Sequence, residues 1–424
     1  MNMRTVHIVG AGVAGLAAAT TLVLGDGNSD GVRVVVHEAA GQAGGRCRSY
    51  YDPVLAMSID NGNHLALSGN RALQRYLARI GSADQLLPPP DAAYPFVDLA
   101  SGERWVVRPN TGALPWWIFA SSRRVPGTRA REYLELAKLL RAPGDALVGD
   151  LIACNGQLWR RFLHPMLLAA LNTAPDRAAA TLVATLLRET FACGGVACKP
   201  LIAAQGLAKA FIDPAIAKLR AAGVEIIFSQ RLLNVAFDAG NVVSALEFTD
   251  GSQPLTPGDA VVLAVPPWTA AELIPGLTVP TKFNAIVNCH FQCAPPPGAP
   301  AFLGLIGGGA EWVFAFEGRL SVTVSNADHL VDQDRAALAK ILWADVAKAY
   351  GLARDMPPWQ IVKERRATFA ATPDQLARRP GTQTQWHNLF LAGDWIDTGL
   401  PATLEGAARS GERAAELICA QAAL

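Results

Sequence analysis

Apolar positions come in three bursts at the start of the chain. Thr5–Val9 is a short apolar run, Leu16–Leu24 a longer Ala/Leu-rich one, and Arg33–Glu38 a short run again. Runs of this length, punctuated by glycine, predict strand, helix, strand. Such a crossover implies a parallel sheet. The stretch Val6–Leu24 also has the greasiness of a signal peptide or membrane span. Gly10, Gly12 and Gly15 interrupt it and Asp26 closes it, which favours a strand, a turn and a helix.

Past about Leu73 the pattern turns helical. Helical spacing predicts Arg71–Ile80, Arg129–Arg141, Gly156–Leu171, Ala178–Phe191 and Gln205–Gly223, with Gly223 ending the last of these. A Pro- and Trp-rich connector separates the first two. Strands return at Val224–Ser229, Leu232–Phe237, Val242–Thr249 and Ala260–Val265. Lys282–Gln292, Phe302–Ile306, Glu311–Glu317 and Leu320–Ser325 predict a second, mostly antiparallel sheet, with helix Arg335–Tyr350 beside it. Strand Leu389–Ala392 and helix Pro401–Ala422 finish the chain. The Pro-rich patches at 88–90 and 295–300 read as loops.

The expected fold class is α/β: a Rossmann-like dinucleotide-binding domain interleaved with an α+β substrate domain. The first is assembled from residues 1–80, 205–270 and 385–424. The second fills 81–204 and 271–384 and includes a helical part.

Composition narrows the partners. The chain has 424 residues, 37 basic and 36 acidic, for a net charge of +1. A nucleic-acid partner calls for a basic excess, so none is expected. Hydrophobic residues make up 51%, which suits a large core or a lipid-handling cavity alike. The seven cysteines form no CxxC pair. Cys289 and Cys293 share a strand face with His290 between them but lie too far apart for one ion, so no metal is expected and reduced thiols are the default. The expected location is the cytoplasm, with peripheral contact at the inner face of the cytoplasmic membrane left open.

Three motifs carry chemistry. In Gly10-Ala-Gly12-Val-Ala-Gly15, the glycines serve a tight turn, a close backbone approach to pyrophosphate, and helix-on-strand packing. The helix start then faces the phosphates, and Glu38 at the end of the second strand can accept ribose hydroxyls. Gly41-Gln-Ala-Gly44-Gly45-Arg46 offers a second close approach, suited to a long dinucleotide. Near the C-terminus, a buried strand ends in Gly393-Asp394 and a helix follows Pro401. Asp394 is placed for a ribityl hydroxyl, and backbone N–H groups at Ala402–Leu404 for the flavin pyrimidine edge.

Together these motifs resemble the FAD-dependent amine oxidase and phytoene desaturase superfamily. Asp60-Asn-Gly62-Asn63-His64, Arg108-Pro-Asn-Thr-Gly-Ala-Leu-Pro-Trp-Trp, Val125-Pro-Gly-Thr, Leu171-Asn-Thr-Ala-Pro and the segment Gly393–Gly406 resemble the hydroxysqualene dehydroxylases of bacterial hopanoid synthesis. Asn63 departs from the Gln expected there, and Leu404 from a common Ile. The resemblance implies FAD held by Gly10, Gly12, Val13, Ala14, Gly15, Glu38, Ala39, Gly44, Gly45, Arg46, Gly62, Asn63, His64, Val235, Gly393, Asp394, Thr403, Leu404 and Ala407. It implies reductive removal of an allylic hydroxyl from hydroxysqualene, giving squalene. The partners it implies are an apolar isoprenoid substrate and an external electron donor, which the single nucleotide fingerprint does not identify.

That chemistry needs an acid near the hydroxyl and a dry, apolar channel. His64, Asp397 and Glu405 are the acid candidates, His64 because an imidazole titrates closest to neutral pH; water is a further carrier. Three other readings compete. A carotenoid or phytoene-type desaturase runs the flavin the other way. An amine oxidase would use an aromatic such as Trp395 at the flavin face. A non-catalytic protein would simply hold flavin and isoprenoid lipid. Trp116-Trp117-Ile118-Phe119, flanked by Arg108, Arg123, Arg124 and Arg129, suits a headgroup boundary, or else lines the channel.

Overall fold

The computed structural model describes residues 4–25, 31–87 and 89–422; the expected roles of Asp26 and Pro88 lie outside the described residues. Five parallel strands form the first sheet, in the order Glu225–Ile227, Val32–His37, Arg4–Val9, Ala260–Leu263, Leu389–Leu391. The central strands are buried on both faces, which explains their unbroken apolar character. Helix Val13–Leu24 is buried on nearly every side. It packs against helix Leu404–Ala422, where a Cβ at Gly411 would stand 2.1 Å from the Ala14 carbonyl oxygen. Burial by protein, not lipid, accounts for its apolar sequence. Among the described residues no helix is long and apolar enough to cross a membrane.

The second sheet has seven strands, ordered Trp359–Phe369, Phe283–Phe291, Arg319–Val324, Trp312–Phe316, Phe302–Ile306, Tyr94–Asp98, Arg104–Val107. It is antiparallel except where Tyr94–Asp98 runs parallel to Phe302–Ile306. Its back face, with Val287, Cys289, Phe291, Val313 and Val322, packs against helix Arg335–Tyr350. Its front face splits. Phe96, Phe302, Trp312 and Phe314 join the aromatic core of the helical lobe, whereas Asn288, His290, Ser321 and Thr323 are buried polar residues. A three-stranded meander, Leu232–Phe237, Val243–Phe248 and Gly251–Pro254, completes the nucleotide side.

Several expectations needed correction. Tyr94–Asp98 and Arg104–Val107 are strands inside the supposed connector. Trp359–Phe369, an edge strand of 11 residues, has a run of charge at Lys363–Arg366 that hides its alternation. Arg129–Arg141 is an α-turn at Ala130–Leu134 followed by a tighter 3-10 segment. The segments Trp159–Leu163 and Ala208–Ile212 widen to π-turns. In each, a proline follows two residues on, Pro165 and Pro214, which cannot donate and repels the carbonyl four residues back. The last helix begins at Leu404, not Pro401, because the Thr403 hydroxyl oxygen accepts the Gly406 N–H at 3.1 Å and so caps it.

Candidate active site

All five parallel strands end on one edge, where ligands of open α/β sheets bind. There Gly10 takes φ +109°, and a Cβ at Gly15 would stand 1.9 Å from the Gly10 carbonyl oxygen. Gly12 differs: a Cβ there would meet nothing within 4 Å. The N–H groups of Val13 and Ala14, first in the helix, have no acceptor among the described residues. A backbone with open space over it and unpaired donors fits a pyrophosphate.

The second glycine loop closes on the first. Gly44 donates its N–H to the Ala11 carbonyl at 2.9 Å. Glu38 holds the arrangement from below, its carboxylate accepting the N–H of Ala11 and of Ala40, each at 2.8 Å. Carboxylate oxygens retain lone pairs for further donors. Ala39 lies exposed beside it. Val235 sits on an edge strand of the meander, so backbone groups on that strand's outer side have no ladder partner.

The C-terminal motif meets the same place. Arg46 donates to the Asp394 carboxylate at 2.6 Å and to the Ala367 carbonyl at 2.5 Å. Asp394 Oδ2 has no protein partner among the described residues. Gly393 has φ +154°, and a Cβ there would collide with the indole of Trp395. Thr403, Leu404 and Ala407 form the first turn of the last helix, and the N–H groups of Leu404 and Glu405 have no acceptor among the described residues. These residues, the glycine loops and Glu38 have the donors and the space that FAD requires.

Facing this cradle is the segment Asp60–His64, docked on the polar half of the seven-stranded sheet. Asp60 pairs with Arg319 at 3.3 Å in a buried ion pair and also accepts from Ser49 at 2.6 Å and the Leu207 N–H at 2.8 Å. His290 bridges Ser321 and the Asp60 carbonyl, at 2.8 and 3.0 Å. A Cβ on Gly62 would press on the Asn288 amide at 3.2 Å. Asn63 donates to Thr323 at 2.9 Å, while its Oδ1 is buried without a partner. An orphaned acceptor of this kind calls for a donor from outside the protein.

The three acid candidates separate. Glu405 is 2% exposed and accepts the N–H groups of Ala72 and Leu73 at 3.1 and 2.9 Å, with Arg409 at 3.0 Å. It caps helix Arg71–Ile80, and this engagement corrects its candidacy. Asp397 is 63% exposed on its side chain and accepts the Gly399 N–H at 3.2 Å. It holds a surface turn, neither caps the last helix nor sits in a dry site, and is likewise corrected. His64 remains, with no hydrogen bond among the described residues, near Asp60, Arg46 and Asp394. Burial pushes its pKa down to about 4. It is therefore neutral at pH 7, contrary to the expectation of near-neutral titration. Trp395 is buried and donates to the Val265 carbonyl at 3.0 Å, so its indole belongs to the core and not to an aromatic cage.

Some neighbours were not foreseen. Asn61 donates to Glu364 at 3.3 Å, and Ala367 receives Arg46; both partners lie on the strand whose charges hid it. The cysteines are all free, and among the described residues no cluster of three His, Cys, Asp or Glu side chains could hold a metal ion.

The sequence pattern of the family described as flavin containing amine oxidoreductase matches residues 13–419. The hydroxysqualene dehydroxylase of Rhodopseudomonas palustris is 52% identical over 419 residues, covering 98% of this chain and 99% of that one. The enzyme of the same name from Sinorhizobium fredii is 50% identical over 414 residues, with 98% of each chain covered. Among solved structures, cyclohexylamine oxidase from Brevibacterium oxydans superposes with a TM-score of 0.68 at 15% identity over 100% of both chains, a likeness of fold. The chain belongs to the flavin containing amine oxidoreductases and, within them, to the hydroxysqualene dehydroxylase family.

Proposed function

We propose that this protein removes the allylic hydroxyl of hydroxysqualene to give squalene, with FAD as its redox group, while working at a membrane surface. What carries the reading is the junction of the two glycine loops with Asp394, in a chain about half identical, end to end, to hydroxysqualene dehydroxylases. When bound and reduced, FAD supplies the hydride that replaces the hydroxyl.

The chain's own residues do the rest. Glu38 and the unpaired N–H groups of Val13 and Ala14 hold the nucleotide half. Arg46 holds Asp394 through Oδ1, which would leave Oδ2 for a ribityl hydroxyl. The start of the last helix favours negative charge at the pyrimidine edge. The hydroxyl departs as water, so its oxygen must gain a proton. His64, neutral and unpartnered, can donate an N–H hydrogen bond that orients that oxygen, and the proton itself comes from water, since a neutral imidazole has no acidic proton to give. The isoprenoid chain would extend from the flavin cradle along the helical lobe, whose apolar residues back onto the aromatic half of the seven-stranded sheet.

The test is anaerobic. Flavin is photoreduced in the purified protein, hydroxysqualene is added, and squalene is sought by mass together with return of the oxidised flavin spectrum. No squalene, with phytoene or an amine instead reducing the oxidised protein, overturns the reading. No reoxidation by hydroxysqualene and no reduction by phytoene or an amine leaves a flavin-bearing lipid binder.

A further inference from the structure

Ten large apolar side chains stand exposed among the described residues, and five of them, Leu114, Trp116, Phe119, Leu134 and Val196, belong to one corner of the helical lobe. The corner is built, not loose. Asn110 is buried, and its amide donates to the carbonyls of Gly112 and Leu114 at 2.8 and 3.0 Å. Its Oδ1 accepts the Trp117 N–H at 3.3 Å. Val196 is tied in through its N–H to the Thr111 carbonyl at 3.3 Å. In the turn Trp116–Phe119 the middle residues, Trp117 and Ile118, point inward, and Trp117 packs edge-on to Tyr133 with centroids 5.2 Å apart. Trp116 and Phe119 therefore face outward, 52% and 67% exposed.

Charge surrounds this tip. Between Arg108 and Arg141 lie seven basic and two acidic residues, a surplus of five, in a chain whose whole net charge is +1. Arg123 stacks over the Trp116 ring at 4.8 Å, setting a cation at the level of the indole. Outward apolar rings surrounded by a surplus of five positive charges match the boundary of an anionic bilayer, rings among the acyl carbons and cations on phosphate.

We propose that the Arg108–Arg141 corner, with Val196, docks on a bilayer bearing anionic headgroups, inserting Leu114, Trp116 and Phe119. The purpose of this docking rests on the apolar-substrate reading above; the surface itself does not. The buried side of the corner, with Trp117 and Ile118, belongs to the same aromatic core that packs on the front face of the seven-stranded sheet, so the docking surface is rigidly joined to the lobe that faces the site.

Flavin-loaded protein is pelleted with vesicles of phosphatidylcholine alone or with added phosphatidylglycerol. Binding is expected to be at least about tenfold tighter on the anionic vesicles and to weaken as salt rises. Trp116→Ala with Phe119→Ala should lower it by about tenfold or more, with flavin spectrum and melting temperature unchanged. Arg108→Gln with Arg131→Gln should remove the preference for anionic vesicles. Brominated lipids should quench the wild type's fluorescence more than that of Trp116→Phe. A wild type that stays in solution, as it would if the corner served a protein partner, or an aromatic double variant that binds undiminished, overturns the proposal. Turnover of detergent-dispersed hydroxysqualene separates the two readings: the double variant should match the wild type there. If the wild type itself is inactive in detergent, it is the reaction reading that fails.

Discussion

The two walls of the candidate active site are made of different material. At the edge of the parallel sheet the wall is backbone: glycine loops, unpaired N–H groups and helix starts. On the seven-stranded sheet it is side chains, with Asn288, His290, Arg319, Ser321 and Thr323 all buried and bonded to the Asp60–Asn63 segment or to one another. A backbone wall is indifferent to most chemistry but cannot admit a Cβ where the chain or the ligand must come close, as at Gly10 and Gly15. A side-chain wall tolerates shape but needs every polar partner present.

The largest effect should come from adding a Cβ to the backbone wall. Gly15→Ala forces a carbon to 1.9 Å from the Gly10 carbonyl oxygen, so the turn must open and the protein should be colourless and less stable. Gly12→Val separates ligand from fold. Its backbone is extended, at φ −79°, and nothing of the protein lies within 4 Å of the new carbon. The flavin-free protein should melt within about 0.5 kcal/mol of wild type, yet retain no flavin. The absorbance ratio of flavin to protein checks both, and a yellow Gly12→Val protein would break the distinction.

The backbone wall was also the legible one. Glycine spacing, an acidic residue at a strand end and a Gly-Asp before a helix are local signals, and they sit in consecutive residues. The side-chain wall was not legible, because its residues come from strands that pair over long sequence distances. Nothing near Asn63 in the chain announces Thr323, and nothing near Asp60 announces Arg319. Three strands at the sheet's two ends were missed for the same reason: pairing, not local pattern, makes them strands. The acid candidates show a related gap. Glu405 lies in a motif near the cofactor, but its side chain points to the start of another helix. Only three-dimensional packing tells the two directions apart.

A smaller, still severe effect should follow from unpairing the side-chain wall. Arg319→Met leaves the buried Asp60 carboxylate with its hydrogen-bond donors but no cation. Losing one partner of a buried pair costs about 3–5 kcal/mol. The exposed pair Arg33–Glu225 is the control, since Arg33→Ala should cost at most about 1 kcal/mol. Equal losses in guanidinium denaturation would show that burial does not decide the outcome.

The gentlest probe is pH, and it reads both walls together. His7, in the parallel sheet, and His290, on the front face, are both held from 6.5 down to about 4, first by burial and then by a neighbouring positive or ionisable group. His64 is lowered to the same value, again by burial first. A depressed histidine favours the neutral folded form. Its contribution is therefore present above pH 6.5 and lost as pH falls from 6.5 towards 4. Glu311 acts oppositely, because burial raises it from 4.5 to about 7, so its contribution is lost as pH rises through that range. Between pH 6 and pH 5 the unfolded chain binds about two more protons than the folded one at these four groups, three histidines against one glutamate, and His37 and His164, lowered by burial in the same direction, add to the difference. Unfolding free energy should then fall by roughly 2–3 kcal/mol per pH unit. Glu311→Gln removes the opposing group and should steepen that slope by about 1.4 kcal/mol per unit. Denaturation midpoints at pH 7, 6 and 5 measure both, and a stability that stays flat or rises on acidification would mean that these imidazoles are solvated in the folded protein.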